Sequence, residues 1–196
     1  MPIQIVTICG SVRPGNYTSR ALALALDEFT KHPEVEVSPI DLDRLGLSLP
    51  GQPARDPDAL RRFQETVKEA TGVLLASPEY HGGISSPMKL AVDNLGFPSA
   101  LSGKPISLLG VAAGGIGAIK SLEQLRGICS HIGAIVLPMA VSVARVQQVF
   151  DDQGNCLDPG VEKLIRSAAT NLIEYIKGAV CPRITLEAMV REGAQA

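Results

Sequence analysis

The sequence is poor in aromatic residues and carries little net charge of either sign. It contains no Trp, its aromatic content is 4 %, and its formal net charge is −2 over 196 residues. No basic stripe is present, so we expect neither a nucleic-acid partner nor an anionic membrane surface. No apolar run reaches the roughly 20 residues of a membrane-spanning helix. These absences leave a globular chain of ordinary composition.

Cysteine and histidine are sparse and scattered. The chain has four cysteines and three histidines, all far apart: Cys9, Cys129, Cys156, Cys181, His32, His81 and His131. Without a C-x-x-C pair or a ligand cluster, the sequence predicts no metal site. Cys9 and Cys129 lie in apolar segments and are expected to be buried fillers. The chain enters a strand without a preceding charged and apolar segment, so we expect a cytoplasmic protein rather than a secreted one.

Strand-like and helix-like segments alternate along the chain. Apolar or β-branched runs predict strands at residues 3–9, 35–41, 73–76, 105–112 and 134–137, the last resuming at Val141 and Val143 after Pro138. Helical spacing begins near Thr18 and near Asp58, and recurs over Met88–Leu95, Ile119–Ile132 and Val161–Ile176. The length suffices for one domain with a substantial core.

The loop after the first strand combines glycines, short polar side chains and one cation. It runs from Gly10 to Thr18, where a helix begins. A helix N-terminus offers unpaired N–H groups and a dipole that favours anions, and an arginine adds a permanent charge suited to phosphate. We interpret this loop as a phosphate cradle. Its candidate side chains are Ser11, Arg13, Asn16, Tyr17 and Thr18.

Several kinds of loop are possible interpretations of this pattern. A P-loop NTPase would need Lys and Ser/Thr where Asn16 and Tyr17 stand. A dinucleotide Rossmann site needs G-x-G-x-x-G, whereas the glycines here are Gly10 and Gly15, with Val12 between them. A mononucleotide site, in which the loop wraps one terminal phosphate, fits the residues. An ordinary strand-to-helix turn stays open as the alternative, because Gly and Ser are common there.

Two further unusual loops follow predicted strands. Residues 77–95 read SPEYHGGISSPMKLAVDNL, and residues 113–118 read AGGIGA. In open α/β sheets, ligands bind outside the carboxyl ends of the strands, near the point where the strand order reverses. Pro78 fixes a backbone angle, and Gly82 and Gly83 allow the main chain to approach a flat ring closely. For residues 113–118, a tight strand-to-helix turn is the alternative.

The loop after the first predicted strand and the loop after the third strand (residues 77–95) together resemble the NADPH-dependent FMN reductase family. Members typically show G-S-x-R in the first loop, and P-E-Y-N with a following L-K-x-x-x-D-x-L helix in the third. The matching residues here are Gly10, Ser11, Arg13, Pro78, Glu79, Tyr80, Lys89, Asp93 and Leu95. The departures are His81 for the usual Asn, Met88 for Leu, and Asn94 for a common Trp. In element order the resemblance covers about the first 180 residues.

The resemblance implies both the fold and the cofactor. It implies a flavodoxin-like three-layer α/β/α sandwich over residues 1–178, with a five-stranded parallel sheet of order 2-1-3-4-5. It implies FMN as the cofactor and NADPH or NADH as the electron donor. The residues expected to line the flavin are Pro78, Glu79, Tyr80, His81 and Gly82, together with Gly114 and Gly115 of the later loop. Tyr80 could equally be a packed aromatic and His81 an exposed loop residue, and the sequence assigns the Glu79 side chain no role.

The resemblance also implies a homodimer or a homotetramer. Met88, Ala91, Val92 and Leu95 share one apolar helix face. That face is expected either to pack on the sheet or, as the family implies, to contact a partner subunit, and we take the second interpretation. Residues 179–196 show no clear pattern and are predicted to be a tail that frays or reaches a neighbouring subunit.

The expected function is that of an oxidoreductase. A flavin accepts hydride from a nicotinamide and passes electrons to an acceptor, so no side chain is predicted to be catalytic. The scarcity of aromatic residues predicts a flavin face open to small acceptors: a quinone, an azo compound, a second flavin or a metal ion. The alternatives are a flavodoxin-type electron carrier, disfavoured by the small net charge, and a flavin-based redox-sensing module.

Overall fold

The computed structural model describes residues 2–193, in which a mainly parallel sheet is covered by helices on both faces. Seven strands form the sheet: β1 (Ile3–Cys9), β2 (Val35–Ile40), β3 (Gly72–Tyr80), β4 (Gly83–Ile84), β5 (Pro105–Val111), β6 (Ile135–Val136) and β7 (Val141–Val143). The order is β2-β1-β3-β5-β6, with β7 pairing in parallel to β5 and β4 pairing antiparallel to β3. The predicted fold class and central strand order are thereby confirmed.

The helices form two layers with separate apolar cores. They are α1 (Tyr17–Thr30), α2 (Pro57–Glu69), α3 (Ser86–Asp93), α4 (Ile119–His131), α5 (Val146–Val149), α6 (Pro159–Tyr175) and α7 (Cys181–Gly193). One core joins α1, α5 and α6 to one face of the sheet, and the other joins α2, α3 and α4 to the opposite face. Successive strand residues point to opposite faces, so β1 contributes Ile3 and Ile5 to the first core and Val6 and Ile8 to the second.

Short polar side chains set where the helices begin. Asn16 caps α1, Asp56 caps α2, Ser85 caps α3 and Asp158 caps α6, and each side-chain oxygen accepts a hydrogen bond from a first-turn N–H group. Pro57, Pro87 and Pro159 stand at the first or second helical position, where a missing N–H costs nothing. The start predicted near Thr18 is therefore one residue late.

Three parts of the sheet differ from the predicted five strands. β3 continues to Tyr80, four residues past the predicted end, because Ser77 and Pro78 still pair with Gly110 and Val111 of β5. A two-residue turn then returns the chain as the short β4, which the sequence pattern did not indicate. The predicted fifth strand is split into β6 and β7 around Pro138, because proline cannot donate a ladder hydrogen bond.

The apolar face of α3 is buried within the chain. Met88 and Ala91 are 0 % exposed, and Val92 and Leu95 are 6 % and 2 % exposed. All four pack in the core shared by α2, α3 and α4. Assigning this face to a subunit contact was therefore wrong: its partner is the sheet of the same chain.

The chain beyond α6 stays helical instead of fraying at residue 179. Ile176–Val180 form one π-helical turn and lead into α7. Residues 194–196 of the predicted tail lie outside the described part of the chain, and a role in subunit contact stays a prediction. Among residues 2–193, no helix is both long and apolar enough to cross a membrane.

Candidate functional site

Three loops meet at the carboxyl edge of the sheet. β1 pairs with β3, and β3 pairs with β5, so the segments that follow these strands are neighbours. We call them the first loop (residues 10–16), the hairpin (residues 80–84) and the glycine loop (residues 112–118). The strand order reverses between β1 and β3, which is where open α/β sheets bind ligands. Every predicted site residue lies on one of these three segments or within two residues of one.

The first loop is tied to its neighbours at Gly10. The Gly10 N–H donates to the Ala76 carbonyl at 2.7 Å, and the Ser85 hydroxyl donates to the Gly10 carbonyl. A Cβ at Gly10 would lie 3.0 Å from Met88 Cβ and 3.1 Å from the Ala76 oxygen. Only glycine lets the loop leave β1 this close to α3. Ser85, which also caps α3, thus fixes the first loop against the hairpin side of the site.

Ser11 holds the one feature of the first loop that points directly to a ligand. Its residue is 8 % exposed, and its Oγ is buried without a hydrogen-bond partner within the described chain. Burying a hydroxyl without a partner costs free energy, so such atoms usually mark a bound group. An anion seated in the loop would supply the missing acceptor.

Arg13 joins the first loop to the hairpin. Its guanidinium carbon lies 4.9 Å from the centroid of the Tyr80 ring, a cation–π distance. Both residues are exposed, with Tyr80 at 36 %. The arginine therefore lies at the mouth of the site and holds the tyrosine ring beside the loop.

The remaining first-loop candidates shape the start of α1. The Asn16 Oδ1 accepts from Ser19 N at 2.7 Å, and its Nδ2 donates to the Arg13 carbonyl at 2.7 Å. Tyr17 packs beside Phe150, with ring centroids 6.5 Å apart, and Thr18 is 1 % exposed. These three residues set the conformation of the cradle, and contact between their side chains and a phosphate stays a prediction.

The hairpin contains His81, the residue that replaces the family's usual asparagine. His81 and Gly82 are the two central residues of the turn between Tyr80 and Gly83, with φ values of 51° and 74°. Such a turn requires positive φ at both positions, which Asn and Gly adopt most easily. His81 takes the same left-handed conformation and is exposed. The loop predicted from Pro78 is thus corrected: Pro78, Glu79 and Tyr80 belong to β3.

Glu79 has a structural role that the sequence did not reveal. Its carboxylate accepts a hydrogen bond from Ser121 N at 3.0 Å in the first turn of α4. Ala118 at the start of that helix has no capping side chain, so Glu79 supplies the cap from β3. Gln124 adds a second tie, because its Oε1 accepts from Ile84 N at 2.9 Å. The hairpin and α4 therefore hold each other in place.

The glycine loop is held by the segment that follows β7. Ala112 N donates to the Val143 carbonyl at 2.9 Å, and Arg145 N donates to the Gly114 carbonyl at 3.1 Å. Further along, Ala118 N donates to the Ser142 hydroxyl at 2.9 Å. Gly114 and Gly115 are exposed, which leaves their backbone open to a ligand.

Four residues that sequence reasoning missed now belong to the site: Ser85, Lys120, Ser142 and Arg145. Arg145 adopts a left-handed backbone with φ of 46°, an uncommon conformation for a non-glycine residue. Its guanidinium lies 3.1 Å from the position of a Cβ at Gly115. The predicted strand at Val141 and Val143 ends just before it, so its carboxyl end could have indicated that Arg145 faces the site.

The ionisable groups of the site offer no conspicuous nucleophile or metal cage. Burial raises the pKa of the Cys9 thiol behind the first loop, which keeps it protonated, and its Sγ lies 3.6 Å from the Ser11 carbonyl oxygen. Within residues 2–193, no cluster of His, Cys, Asp and Glu could hold a metal ion. The arrangement is suited to binding a flat anionic ligand through backbone, hydroxyl and cationic groups.

The fold is that of a flavodoxin-like protein, and its carboxyl edge carries a candidate mononucleotide site. Residues 3–148 match the family model described as NADPH-dependent FMN reductase. The chain therefore belongs to the NADPH-dependent FMN reductase family, and the predicted class, an FMN-dependent NAD(P)H oxidoreductase, is confirmed.

Curated relatives agree with this assignment over nearly the whole chain. An NAD(P)H-dependent FMN reductase of Pseudomonas aeruginosa is 31 % identical over 186 residues, covering 89 % of this chain and 96 % of the relative. An NADPH azoreductase of a Bacillus species is 27 % identical over 173 residues, covering 88 % and 94 %. Among solved structures, the flavoenzyme FerB of Paracoccus denitrificans superposes with a TM-score of 0.74 at 19 % identity, covering 89 % and 97 %, which supports the fold.

Proposed function

We propose that the three loops of the carboxyl edge bind FMN and that the enzyme passes reducing equivalents from NAD(P)H to a small acceptor. Acceptor classes consistent with the relatives are quinones and azo compounds, since these relatives include a 2-hydroxy-1,4-benzoquinone reductase and an azoreductase. A flavin or a metal ion remains in the proposed range. The single observation that carries the site assignment is the buried, unpartnered hydroxyl of Ser11 in a loop shaped for an anion.

The residues present fit FMN. The Ser11 hydroxyl and the loop N–H groups before α1 would hold the phosphate, where the helix dipole favours negative charge. Pro78–Gly82 and Gly114–Gly115 would meet the ring, because Tyr80–Gly82 and Gly114–Gly115 are exposed at the edge where β3 and β5 end. When bound, FMN supplies hydride-accepting and electron-donating chemistry. The chain would bind and orient this group. Arg13 and Tyr80 border one side of the site, and the hydrogen bond from Ser85 to the Gly10 carbonyl fixes the position of the first loop relative to the hairpin.

The proposal includes a subunit contact, on a different surface from the one first predicted. Phe97 is 104 % exposed and borders a groove of about 750 Å³ between α3 and α4, which Val92, Ile128 and Ile132 help to line. A second copy that covers this groove would bury the ring. We expect a dimer by sedimentation, and Phe97→Asp should shift it to monomer. Leu157→Asp, which changes another exposed apolar residue, is the matched control. A dimer that persists in Phe97→Asp would show that the subunit contact lies on another surface.

A cytoplasmic setting is also part of the proposal. Cys9, Cys129, Cys156 and Cys181 are free thiols. Free thiols are the ordinary state of cysteines in a reducing compartment. Fractionation of the source cells, with activity measured in each fraction, tests this.

The experiment that tests the function uses the purified protein loaded with FMN. Anaerobic NADPH should bleach the yellow colour, and a quinone added afterwards should restore it with repeated turnover. Retention of the colour in the presence of NADPH and NADH would contradict the oxidoreductase proposal. Bleaching without turnover of any quinone or azo compound would favour the electron carrier.

A further inference from the structure

Helix α7 exposes one apolar side, which we call the α7 stripe. Leu186, Met189 and Val190 are spaced i, i+3 and i+4, so they share one side of the helix, and they are 62–71 % exposed. Ile184 lies on the other side of α7 and lines a cleft of about 370 Å³ at the amino edge of the sheet, where β3 and β5 begin. The helix therefore rests on its own chain through Ile184, and its stripe faces outward.

The groove between α3 and α4 is shaped to receive a helix. Its lining is largely apolar, with Val92, Ile128 and Ile132 in its walls and Phe97 at its border. Gly127, inside α4, also lines the groove, and a Cβ at this position would meet no atom within 4 Å. Glycine is a poor residue for a helix interior, and nothing in the described chain packs on this one. Without a side chain, it lets a partner helix approach the α4 backbone closely.

The stripe and the groove lie at the same end of the molecule. Ser102 and Lys104 line the cleft under Ile184, and they also line a second hollow that Phe97 borders. However, α7 continues from α6, which packs on the face of the sheet opposite to α3 and α4. In one chain the stripe faces away from the body that carries the groove. A two-fold axis at the amino edge would instead turn the stripe toward the groove of a second copy.

We propose that the α7 stripe of each copy occupies the α3–α4 groove of the other copy in a symmetric dimer. The i, i+3, i+4 spacing of the stripe is that of a helix bound in an apolar groove. A stable interface engages about 20–30 residues from each partner. The groove lining supplies 11 residues, and α7, with 13 residues, is an element of the size still needed. This inference rests on the subunit contact of the proposed function and names the segment that covers the groove.

Sedimentation of the full chain tests the proposal. Met189→Asp and Leu186→Asp should each raise the dissociation constant of the dimer about a hundredfold, because each removes a buried apolar side chain from both symmetric contacts. The matched control is Arg191→Asp, which places the same residue on the opposite side of α7, at an exposed position. It should leave the dimer intact, and circular dichroism should show the same helix content in all three variants.

Cross-linking identifies the two elements in contact. In the variant that combines Gly127→Cys with Met189→Cys, a thiol-reactive cross-linker of short span should join two copies covalently, well above the wild-type background. Replacing Gly127→Cys by Leu164→Cys, at an exposed position of α6, should abolish the covalent dimer. No covalent dimer in the first variant, or a dimer that Met189→Asp leaves intact while Phe97→Asp dissociates it, would overturn the inference alone. A dimer that Phe97→Asp leaves intact would instead refute the proposed groove contact itself, so the two failures are distinguishable.

Discussion

Two lysines bracket β5, and the molecule uses them in opposite ways. Lys104 stands just before the strand, at the amino edge of the sheet, and its Nζ donates to the carbonyls of Lys68 and Ala70 at 2.7 and 2.6 Å. Burial lowers the pKa of this ammonium. Lys120 stands after the strand and its loop, at the carboxyl edge, exposed and without such partners in the described chain. Lys104 thus satisfies carbonyl groups at the end of α2, whereas Lys120 makes no hydrogen bond or ion pair among the described residues.

The same division holds for whole edges of the sheet. Polar groups at the amino edge and between the outer helices satisfy one another: Arg166 on α6 pairs with Asp27 and Glu28 of α1. At the carboxyl edge, the Ser11 hydroxyl has no partner among residues 2–193, and His81 and Arg145 hold left-handed backbones. Such groups can be retained where a ligand offsets their cost, although the buried Thr7 hydroxyl in β1 and the left-handed Met139 lie away from the three loops. Substitutions at one edge should therefore change stability, and those at the other should change binding.

The largest stability effect is expected at the amino edge. Lys104→Met keeps the apolar stem but removes both hydrogen bonds to the end of α2, so the free energy of unfolding should fall by about 1–2 kcal/mol. Urea denaturation measures this. FMN affinity should stay the same, and Lys68→Met, at an exposed lysine nearby, should change neither quantity. Weaker FMN binding with an unchanged free energy of unfolding in Lys104→Met would contradict the division between an amino edge that stabilises the fold and a carboxyl edge that binds the ligand.

The matching effect at the carboxyl edge is on binding alone. Ser11→Ala removes the buried hydroxyl, so FMN should bind about tenfold more weakly while riboflavin binding changes little. The free energy of unfolding without ligand should be unchanged or slightly higher, because the unpartnered hydroxyl is gone. Fluorescence titration with both ligands checks the first part and urea denaturation the second. An equal loss for FMN and riboflavin would show that Ser11 shapes the loop rather than meeting the phosphate.

A smaller effect is expected at Arg13. Since the guanidinium is engaged with Tyr80, Arg13→Ala should loosen one border of the site and weaken FMN binding about threefold. Tyr80→Leu, which removes the same contact from the other side, should match it, and the double variant should add little. Titration of FMN into the three variants measures this. A loss of a hundredfold in Arg13→Ala alone would place the arginine on the phosphate instead.

The smallest effect concerns acid stability away from the site. A hydrogen bond from Arg166 lowers the pKa of Asp27, and one from Lys31 lowers that of Glu28, to which Arg166 adds. Depressed carboxyl pKa values stabilise the fold above about pH 4 and stop doing so as the pH falls through them. Urea midpoints should therefore be lower for Arg166→Gln than for the wild type at neutral pH, and the gap should close on acidification. A gap that stays constant down to pH 3 would contradict this.

Much of the fold could be predicted because its signals are local. Apolar strand runs and helix caps such as Asn16 and Ser85 mark the elements, and the central strand order follows from the family that the first loop and residues 77–95 resemble. The extension of β3 and the return of β4 were not predictable, because His81 is not a usual residue for a two-residue turn. The direction of the apolar face of α3 was ambiguous for another reason: periodicity shows that Met88 and Leu95 share a face but not what covers it.

The site was only partly predictable for a similar reason. Ser11, Arg13 and the glycines follow strands directly, so their place at the carboxyl edge can be inferred from the sequence. Lys120 and Arg145 reach the site from α4 and from beyond β7, and their proximity to Gly82 and Gly115 is tertiary. Glu79 is similar, because its capping of α4 joins residues that are 42 positions apart.

The most direct test of the phosphate cradle compares FMN with riboflavin in the wild-type protein. The two ligands share the ring and the ribityl chain, so the ratio of their dissociation constants isolates the phosphate. Two or three hydrogen bonds to a charged group, discounted for desolvation, predict FMN binding tighter by about two to four orders of magnitude. Equal affinities for FMN and riboflavin would contradict the assignment of Ser11 and the first loop to a phosphate.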